Sequence, residues 1–369
     1  MTLPRVAECM RQLVASKRLP TACCIVYDGC TTSMVHAYCA TAVHRDIVHQ
    51  KMWLSSLTKP VVSLAVLILH DQRKLQLSDL VSKYLCDFSG SMVTIEHLLL
   101  HVSGLDFSLS SMLPNGQSAF AHHRLGMAKD DGLAATVRRL SKQPGQSKPG
   151  KFQYGAGHDL LCAIVEVVTG SSIGVALRAL LFNPLRMDHT CFLVDDAACE
   201  KVSNAPLYTR DGDGVLYALP EYGVFYDRPR GYGNLFSTPA DFAKLCICIA
   251  NAGQTPDGHR IVSQQTFDTC VLTDRLAAFD TTTRVHTLPG VFYDRMSCFG
   301  ALTVDPQADT LPAGKYSPKG CVSWGGANSL LFMADPQTRK AFLFVGNTVG
   351  VCQDFRLEVG KAVVCDLYC

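Results

Sequence analysis

Ser56-Leu57-Thr58-Lys59 is the one S-x-x-K tetrad in the chain, at the mouth of a nearly unbroken apolar run, "WLSSLTKPVVSLAVLIL" (residues 53–69). A serine hydroxyl is a weak nucleophile until a base takes its proton, and a desolvated lysine can be that base. On a helix beginning at Ser56, residues three apart share a face. An apolar setting lowers the lysine's pKa towards a useful value. The helix N-terminus adds unpaired backbone N–H groups and a positive dipole where an oxyanion would form. The chemistry this implies is acyl transfer through a serine ester. Ser55, four residues from Lys59, is the alternative nucleophile on spacing alone. The reading without chemistry is an N-cap serine beside a snorkelling lysine. A second candidate, "GSSIG" (170–174), places Ser172 in a G-x-S-x-G pattern. That pattern works as a strained elbow between a strand and a helix. Here it follows a helical pattern, so Ser172 reads as a decoy.

Several elements must position the tetrad. Val61 to Leu69 is apolar all round apart from Ser63, as in a helix buried on every side. Pro60 is tolerated only in a helix's first turn, so the helix is expected to start at or near Ser56. Before it, a helix over about 4–17 leads into "TACCIVYDG" and "SMVHAYCATAV", a β-hairpin pattern. "TIEHLLLHVSGL" predicts a short helix stopping at Gly104, and 106–150 is expected to be mostly irregular. "HDLLCAIVEVVTG" carries Leu160, Leu161, Ile164, Val165 and Val168 on one helical face, with Gly170 as its stop. Residues 203–233, rich in aromatics, read as a long and therefore functional loop. "STPADFAKLCICIANAG" marks a helix with Thr238 as N-cap and Pro239 at its first position. Strands are expected at 284–303, 320–334 and 340–347, then a final helix on Phe355, Val359 and Val363. The simplest arrangement is an antiparallel sheet drawn from both chain ends, 1–60 and 290–369, with a mainly helical subdomain, 61–289, inserted.

Composition narrows the function. The chain has 369 residues, a formal net charge of +2 and 48% hydrophobic content. That leaves no electrostatic footprint for nucleic acid or an anionic membrane. The longest apolar run is far too short to span a bilayer. The N-terminal 20 residues lack the apolar core of a secretory signal, although a short amphipathic transit peptide fits them. The 17 cysteines are scattered, with no C-x-x-C and no metal spacing. They read as free, mostly buried thiols and an expected cytoplasmic address. "DGDG" (211–214) reads as a turn, and the histidines show no metal spacing.

Six segments in order resemble the serine β-lactamase-like superfamily, in its class C β-lactamase, D-alanyl carboxypeptidase and family VIII carboxylesterase branch. "SLTKP" resembles the nucleophile motif, and "TIEHLLLHVSGL" is similar to a helix ending in H-x-S-G-L. "FQYGAGHDLLCAIVEVVTG" resembles the segment bearing the catalytic tyrosine. "NPLRMDHTCF" is similar to a P-L-G-M-x-x-T-x-F run, and "GYGNLFSTPADFAKL" to a glycine-rich stretch before a helix. "CVSWGGANSLLFMADPQTRKAFLFVGN" resembles the strand pair with the third motif. The resemblance implies an α+β, β-lactamase-like fold with Ser56 as acylated nucleophile and Lys59 as its proton partner. It implies Tyr154 as base or relay for deacylation, and an oxyanion hole from the N–H groups of Ser56 and Ala327. A tyrosine with a pKa near ~10 needs Lys59 close by to act as a base at neutral pH. His101 matches a family position and is expected to be structural.

Two departures point to a substrate class. Penicillin-binding members carry Y-x-N and K-T-G or H-x-G; this chain has Tyr154-Gly155-Ala156 and Trp324-Gly325-Gly326. Alanine and tryptophan cannot replace the asparagine's amide contact or the cation facing a substrate carboxylate. The site is therefore expected to accept an uncharged acyl ester, with Trp324, Gly325, Gly326, Tyr226 and Tyr232 lining it. The expected function is a carboxylesterase on small or medium acyl esters, needing no metal or cofactor. The alternatives are an acyltransferase, a β-lactamase or D-aminoacyl peptidase, and a catalytically silent scaffold or assembly protein.

Overall fold

The structure is a computed structural model describing residues 2–38, 47–105, 133–143, 149–192, 204–210, 215–219, 229, 231, 233–285, 295–306, 317–349 and 355–368. The two β-branched stretches pair antiparallel as β1 (Thr21–Tyr27) and β2 (Thr32–Tyr38). β1 also pairs with a strand near the other end of the chain, Lys340–Val345, with Cys24 opposite Phe344. The six-stranded sheet runs Ala301–Leu302, Val322–Gly326, Leu330–Asp335, Lys340–Val345, β1, β2. Both chain ends thus build one sheet.

Alternation along the strands sorts side chains to two faces. Ala22, Cys24 and Val26 of β1 and Phe342 and Phe344 of its partner join one cluster with α1 (Pro4–Ala15) and the C-terminal helix (Phe355–Tyr368). Cys23, Ile25, Leu343 and Val345 join the larger core on the other face. A one-residue slip of β1 would swap these sets, so burial on both faces pins the register.

The larger core is organised around α2 (Thr58–Asp71), buried from Thr58 through Leu69. β3 (Met52–Trp53) pairs antiparallel with Leu235–Ser237 and delivers the chain to a 3₁₀ turn, Ser55–Leu57. The α-helix therefore begins at Thr58, two residues after Ser56, with Pro60 in its first turn. Ser55 has a left-handed backbone (φ 49°), so helical geometry cannot extend back through it.

α3 (Ile95–Leu99) is capped by Thr94, whose side chain accepts from His97 N, and it ends before the expected Gly104. His101 is left-handed (φ 55°) and turns the chain away. The carbonyls of His101 and Val102 then accept from Gln153 N (2.8 Å) and Gly150 N (2.7 Å). Those bonds hold β4 (Lys151–Gln153), which leads directly into α4 (Gly157–Thr169). Gly170 ends α4 in the left-handed conformation, as expected. α5 (Pro239–Ala250) starts at Thr238, whose hydroxyl accepts from Asp241 N.

The expected strand at 320–334 is two strands, broken by a turn in which Ser329 has φ 65°. The expected 284–303 strand is also split: Asp280–Val285 and Ala301–Leu302 are strands, and 286–294 lies outside the described residues. So does all of 106–132, although a helix is present at Leu133–Leu140. The 203–233 segment contains two short paired strands, Tyr208–Arg210 and Leu216–Ala218. Twelve described cysteines are free, but Cys191 is in a disulfide, which corrects the reading of free thiols throughout. Among the described residues, no single helix is long and apolar enough to cross a membrane.

Candidate active site

Three elements meet at Ser56. The 3₁₀ turn presents its hydroxyl, α2 supplies Lys59, and the residue following β4 is Tyr154. Lys59 Nζ donates to Ser56 Oγ (3.3 Å), and Tyr154 OH donates to the same oxygen (3.1 Å). The Lys59 amine also lies 4.7 Å from the centre of the Tyr154 ring. Ser56 and Tyr154 are 98 residues apart in sequence yet meet at this hydroxyl.

The surroundings tune the lysine. Lys59 is 1% exposed. Burial pulls its pKa from 10.5 down to about 7, against the opposing charge of Asp159. A large fraction of the amine is therefore neutral at neutral pH, as a general base requires.

Ser55 plays a different part. It is buried, and its Oγ accepts a hydrogen bond from Ala327 N (3.1 Å). Ser56 carries the bonds to Lys59 and Tyr154, so the geometry separates the two serines that spacing left open. A non-glycine residue at positive φ is uncommon and tends to sit at functional sites, where the surroundings hold the strain. Asn328, next to Ala327, donates to Trp53 O (2.6 Å) and to Asn347 Oδ1 (3.1 Å). It ties the turn bearing Ala327 to the strand that feeds Ser55 and Ser56.

Trp324 is buried, its ring 6.1 Å from Tyr154 and stacked on His101 at 6.2 Å. Gly325 is half-buried. Gly326 has a packing reason for lacking a side chain: a Cβ there would lie 2.9 Å from the Leu54 carbonyl oxygen. In the glycine-rich "GYGNLF" stretch, a Cβ on Gly231 would come within 2.0 Å of the His158 carbonyl oxygen. The Trp53 indole donates to the carbonyl of Gly233. Tyr226 and Tyr232 lie outside the described residues, as does 211–214. Ser172 stands at the N-cap position of a short helix, Ile173–Leu177, three residues after α4, its side chain making no capping bond, and no strand precedes it. It has no elbow to sit on.

Sequence reasoning passed over three groups beside the site. His158 and Asp159 lie in the first turn of α4, and Ser63 Oγ is 3.0 Å from His158 Nε2. The signal was Ser63 itself: a serine inside an otherwise apolar, fully buried helix needs a polar partner. Among the described residues, no group of three or more His, Cys, Asp or Glu side chains could hold a metal ion.

The chain is similar to several known proteins. The chain is 35% identical over 184 residues to esterase EstB from Burkholderia gladioli, covering 46% of each chain. It is 28% identical over 202 residues to penicillin-binding protein 4* from Bacillus subtilis (strain 168), covering 52% of this chain and 43% of that one. The matched part thus spans less than half the length of either relative. Among solved structures, EstCE1, a hydrolase with promiscuous acyltransferase activity, superposes with a TM-score of 0.76 over 98% of both chains at 20% identity. A penicillin-binding protein homologue from Pyrococcus abyssi does so at 0.68 and 18% identity, over 99% of this chain and 78% of that one. These two likenesses show the fold. The family profile described as Beta-lactamase matches residues 6–359, and the chain belongs to that family of serine hydrolases.

Proposed function

We propose that this protein is a carboxylesterase that cleaves small or medium uncharged acyl esters through an acyl-enzyme on Ser56. The observation that carries the reading is the shared hydroxyl: Ser56 Oγ bonded to both Lys59 and Tyr154, with the lysine near neutrality. Neutral Lys59 takes the Ser56 proton as Oγ attacks the acyl carbonyl. The Ser56 N–H receives the oxyanion, joined by the Ala327 N–H as it turns from Ser55 Oγ, the acceptor it bonds in the resting site. The proton then passes to the departing alkoxide, and Ser56 is left acylated. Water attacks the ester in the second half; its proton passes through the Tyr154 and Lys59 pair to Ser56 Oγ as the acyl–oxygen bond breaks and the acid departs.

The substrate class follows from what the site lacks. Ala156 offers no amide, and Trp324 places an indole where a cation would face a carboxylate. An aromatic wall of Trp324, Tyr154 and His101 suits an apolar acyl group. That EstB is named an esterase supports the same side of the family.

The test is hydrolysis of p-nitrophenyl butyrate by the wild-type protein and its loss in Ser56→Ala, with a fluorophosphonate adduct mapped by mass spectrometry. The adduct should sit on Ser56. Labelling of Ser172, or of no serine, would overturn the assignment. Turnover of a chromogenic cephalosporin at a comparable rate would sink the substrate argument.

A further inference from the structure

Two imidazoles lie beside the catalytic group without a part in the steps above. His101 and His158 are each 2% exposed, with ring centroids 5.1 Å apart. His101 grips the Tyr154 segment at three points. Its carbonyl accepts from Gln153 N (2.8 Å), its Nδ1 accepts from Gly155 N (3.4 Å), and its ring packs 4.5 Å from the Tyr154 ring. An imidazole whose Nδ1 accepts carries its proton on Nε2 when neutral. His101 Nε2 is buried and has no hydrogen-bond partner. On the neighbouring ring, His158 Nε2 meets Ser63 Oγ at 3.0 Å, while Nδ1 is likewise buried without a partner. Ser63 lies one turn along α2 from Lys59.

A buried polar nitrogen left unpaired is costly, and buried orphans in native proteins are commonly met by an internal water. Here two sit on adjacent rings, and the first is a donor by elimination. We infer that His101 and His158 form a positioning chain, closed by one buried water, that ties the Tyr154 segment to the helix bearing Lys59. Gly155 N–H donates to His101 Nδ1, and His101 Nε2–H donates to the water. The water donates to His158 Nδ1, and His158 Nε2–H donates to Ser63 Oγ. Every donor points the same way, so one tautomer of each ring satisfies the whole chain. Both rings are neutral: burial first, and then the Lys59 charge, hold His101 well below the usual histidine value. Burial, followed by His101 and Lys59, does the same for His158. The inference rests on the reading of Ser56, Lys59 and Tyr154 as the acyl-transfer group.

Backbone conformation makes the test selective. Glycine and asparagine both tolerate the left-handed conformation of His101. Only asparagine keeps an acceptor for Gly155 N. His101→Gly should lower kcat for p-nitrophenyl butyrate by about 30- to 100-fold with KM within about twofold, as expected for a misplaced group. His101→Asn should recover part of that loss, and His158→Gln, which keeps a donor for Ser63, should cost less than His158→Ala. Ser63→Ala and His101→Asn share no direct hydrogen bond, yet as members of one chain their effects should not multiply. Multiplicative losses in the double variant would overturn the chain. An activity-free readout is ¹⁵N NMR of the histidines in the wild-type protein. Both rings should appear as neutral Nε2–H tautomers from pH 5.5 to 8, and an Nδ1–H tautomer on either ring would overturn it. Failure of the fluorophosphonate to label wild-type Ser56 would instead overturn the functional reading and leave the NMR test standing.

Discussion

The two faces of the six-stranded sheet look onto cores of opposite character. On one face, α1 and the C-terminal helix pack Val6, Met10 and Leu13 with Phe355, Val359 and Val363 against Cys24, Phe342 and Phe344. Arg18 pairs with Glu358 at the exposed edge, and the buried Asp366 carboxylate accepts from the Arg5 and Val6 N–H groups at the start of α1. On the other face α5 lies on the strands, and the larger core beyond it, built on α2 and α4, buries Lys59, Ser63, His158 and Asp159 inside the same kind of apolar packing. Burial does opposite things on the two faces. Around Phe355 it stabilises the fold; around Lys59 it holds a cation near neutrality and two histidines uncharged. What differs is the residue type placed in the layer, not the layer.

The largest expected contrast is catalytic. Ser56→Ala should abolish ester hydrolysis by at least ~10³-fold, the scale of losing a nucleophile. Its thermal midpoint should move by no more than about 2 °C, because Ser56 is only half-buried. Activity that survives in Ser56→Ala but vanishes in Ser55→Ala would move the nucleophile one residue and break the comparison at its centre.

Lys59→Met should cost activity on a similar scale, and it also tests what burial does. The folded-state pKa is about 7 against an ordinary 10.5, so the unfolded chain binds the extra proton and folding must release it. That cost is full below about pH 7, shrinks as pH rises, and is gone near the ordinary lysine value. Wild type should therefore gain stability on Lys59→Met by up to ~1.4 kcal/mol per pH unit above 7. Urea unfolding at pH 7, 8 and 9 reads the difference, and a gap independent of pH would show that Lys59 is not held near neutrality. In wild type, kcat/KM should rise about tenfold per unit below pH 7 and level off above it.

Truncation on the apolar face should do the reverse. Phe355→Ala removes a fully buried ring that packs 5.8 Å from Phe344. It should cost about 3–5 kcal/mol of unfolding free energy and leave kcat/KM within about twofold of wild type. A comparable loss of kcat/KM in the folded variant would mean that the sheet transmits packing from one face to the other.

Elements whose cause is local could be read from the sequence. An all-apolar run set α2, Pro60 bounded its start, and Thr238-Pro239 marked the N-terminus of α5. Phe355, Val359 and Val363 declared the last helix by their spacing. Ser56 and Lys59 were legible as a pair because one helical turn brings them together. Groups joined only by tertiary structure were not. His158 meets Ser63 across 95 residues, and no spacing rule connects them. The left-handed residues at Ser55, His101 and Ser329 carry no glycine to announce them, so the helix start, the early end of α3 and the 327–329 turn were all misplaced. Tyr154 needed the family resemblance, since a tyrosine after a short strand has no pattern of its own.

The smallest effect isolates position from chemistry. Thr238 and Thr58 each accept one backbone N–H through a buried hydroxyl: Asp241 N at 3.1 Å and Leu235 N at 3.2 Å. Losing either bond should cost about 1 kcal/mol, the usual value for such a group. The first bond caps α5, which touches none of the reacting groups described above. The second holds Leu235, whose carbonyl accepts from Leu54 N (2.9 Å) directly before the strained Ser55. Thr238→Ala and Thr58→Ala should therefore lower the unfolding midpoint equally, while only Thr58→Ala lowers kcat, by about three- to tenfold, through a small displacement of Ser56. Equal kcat in the two variants would show that the turn holding the nucleophile is fixed by Ala327 and Asn328 without help from this strand.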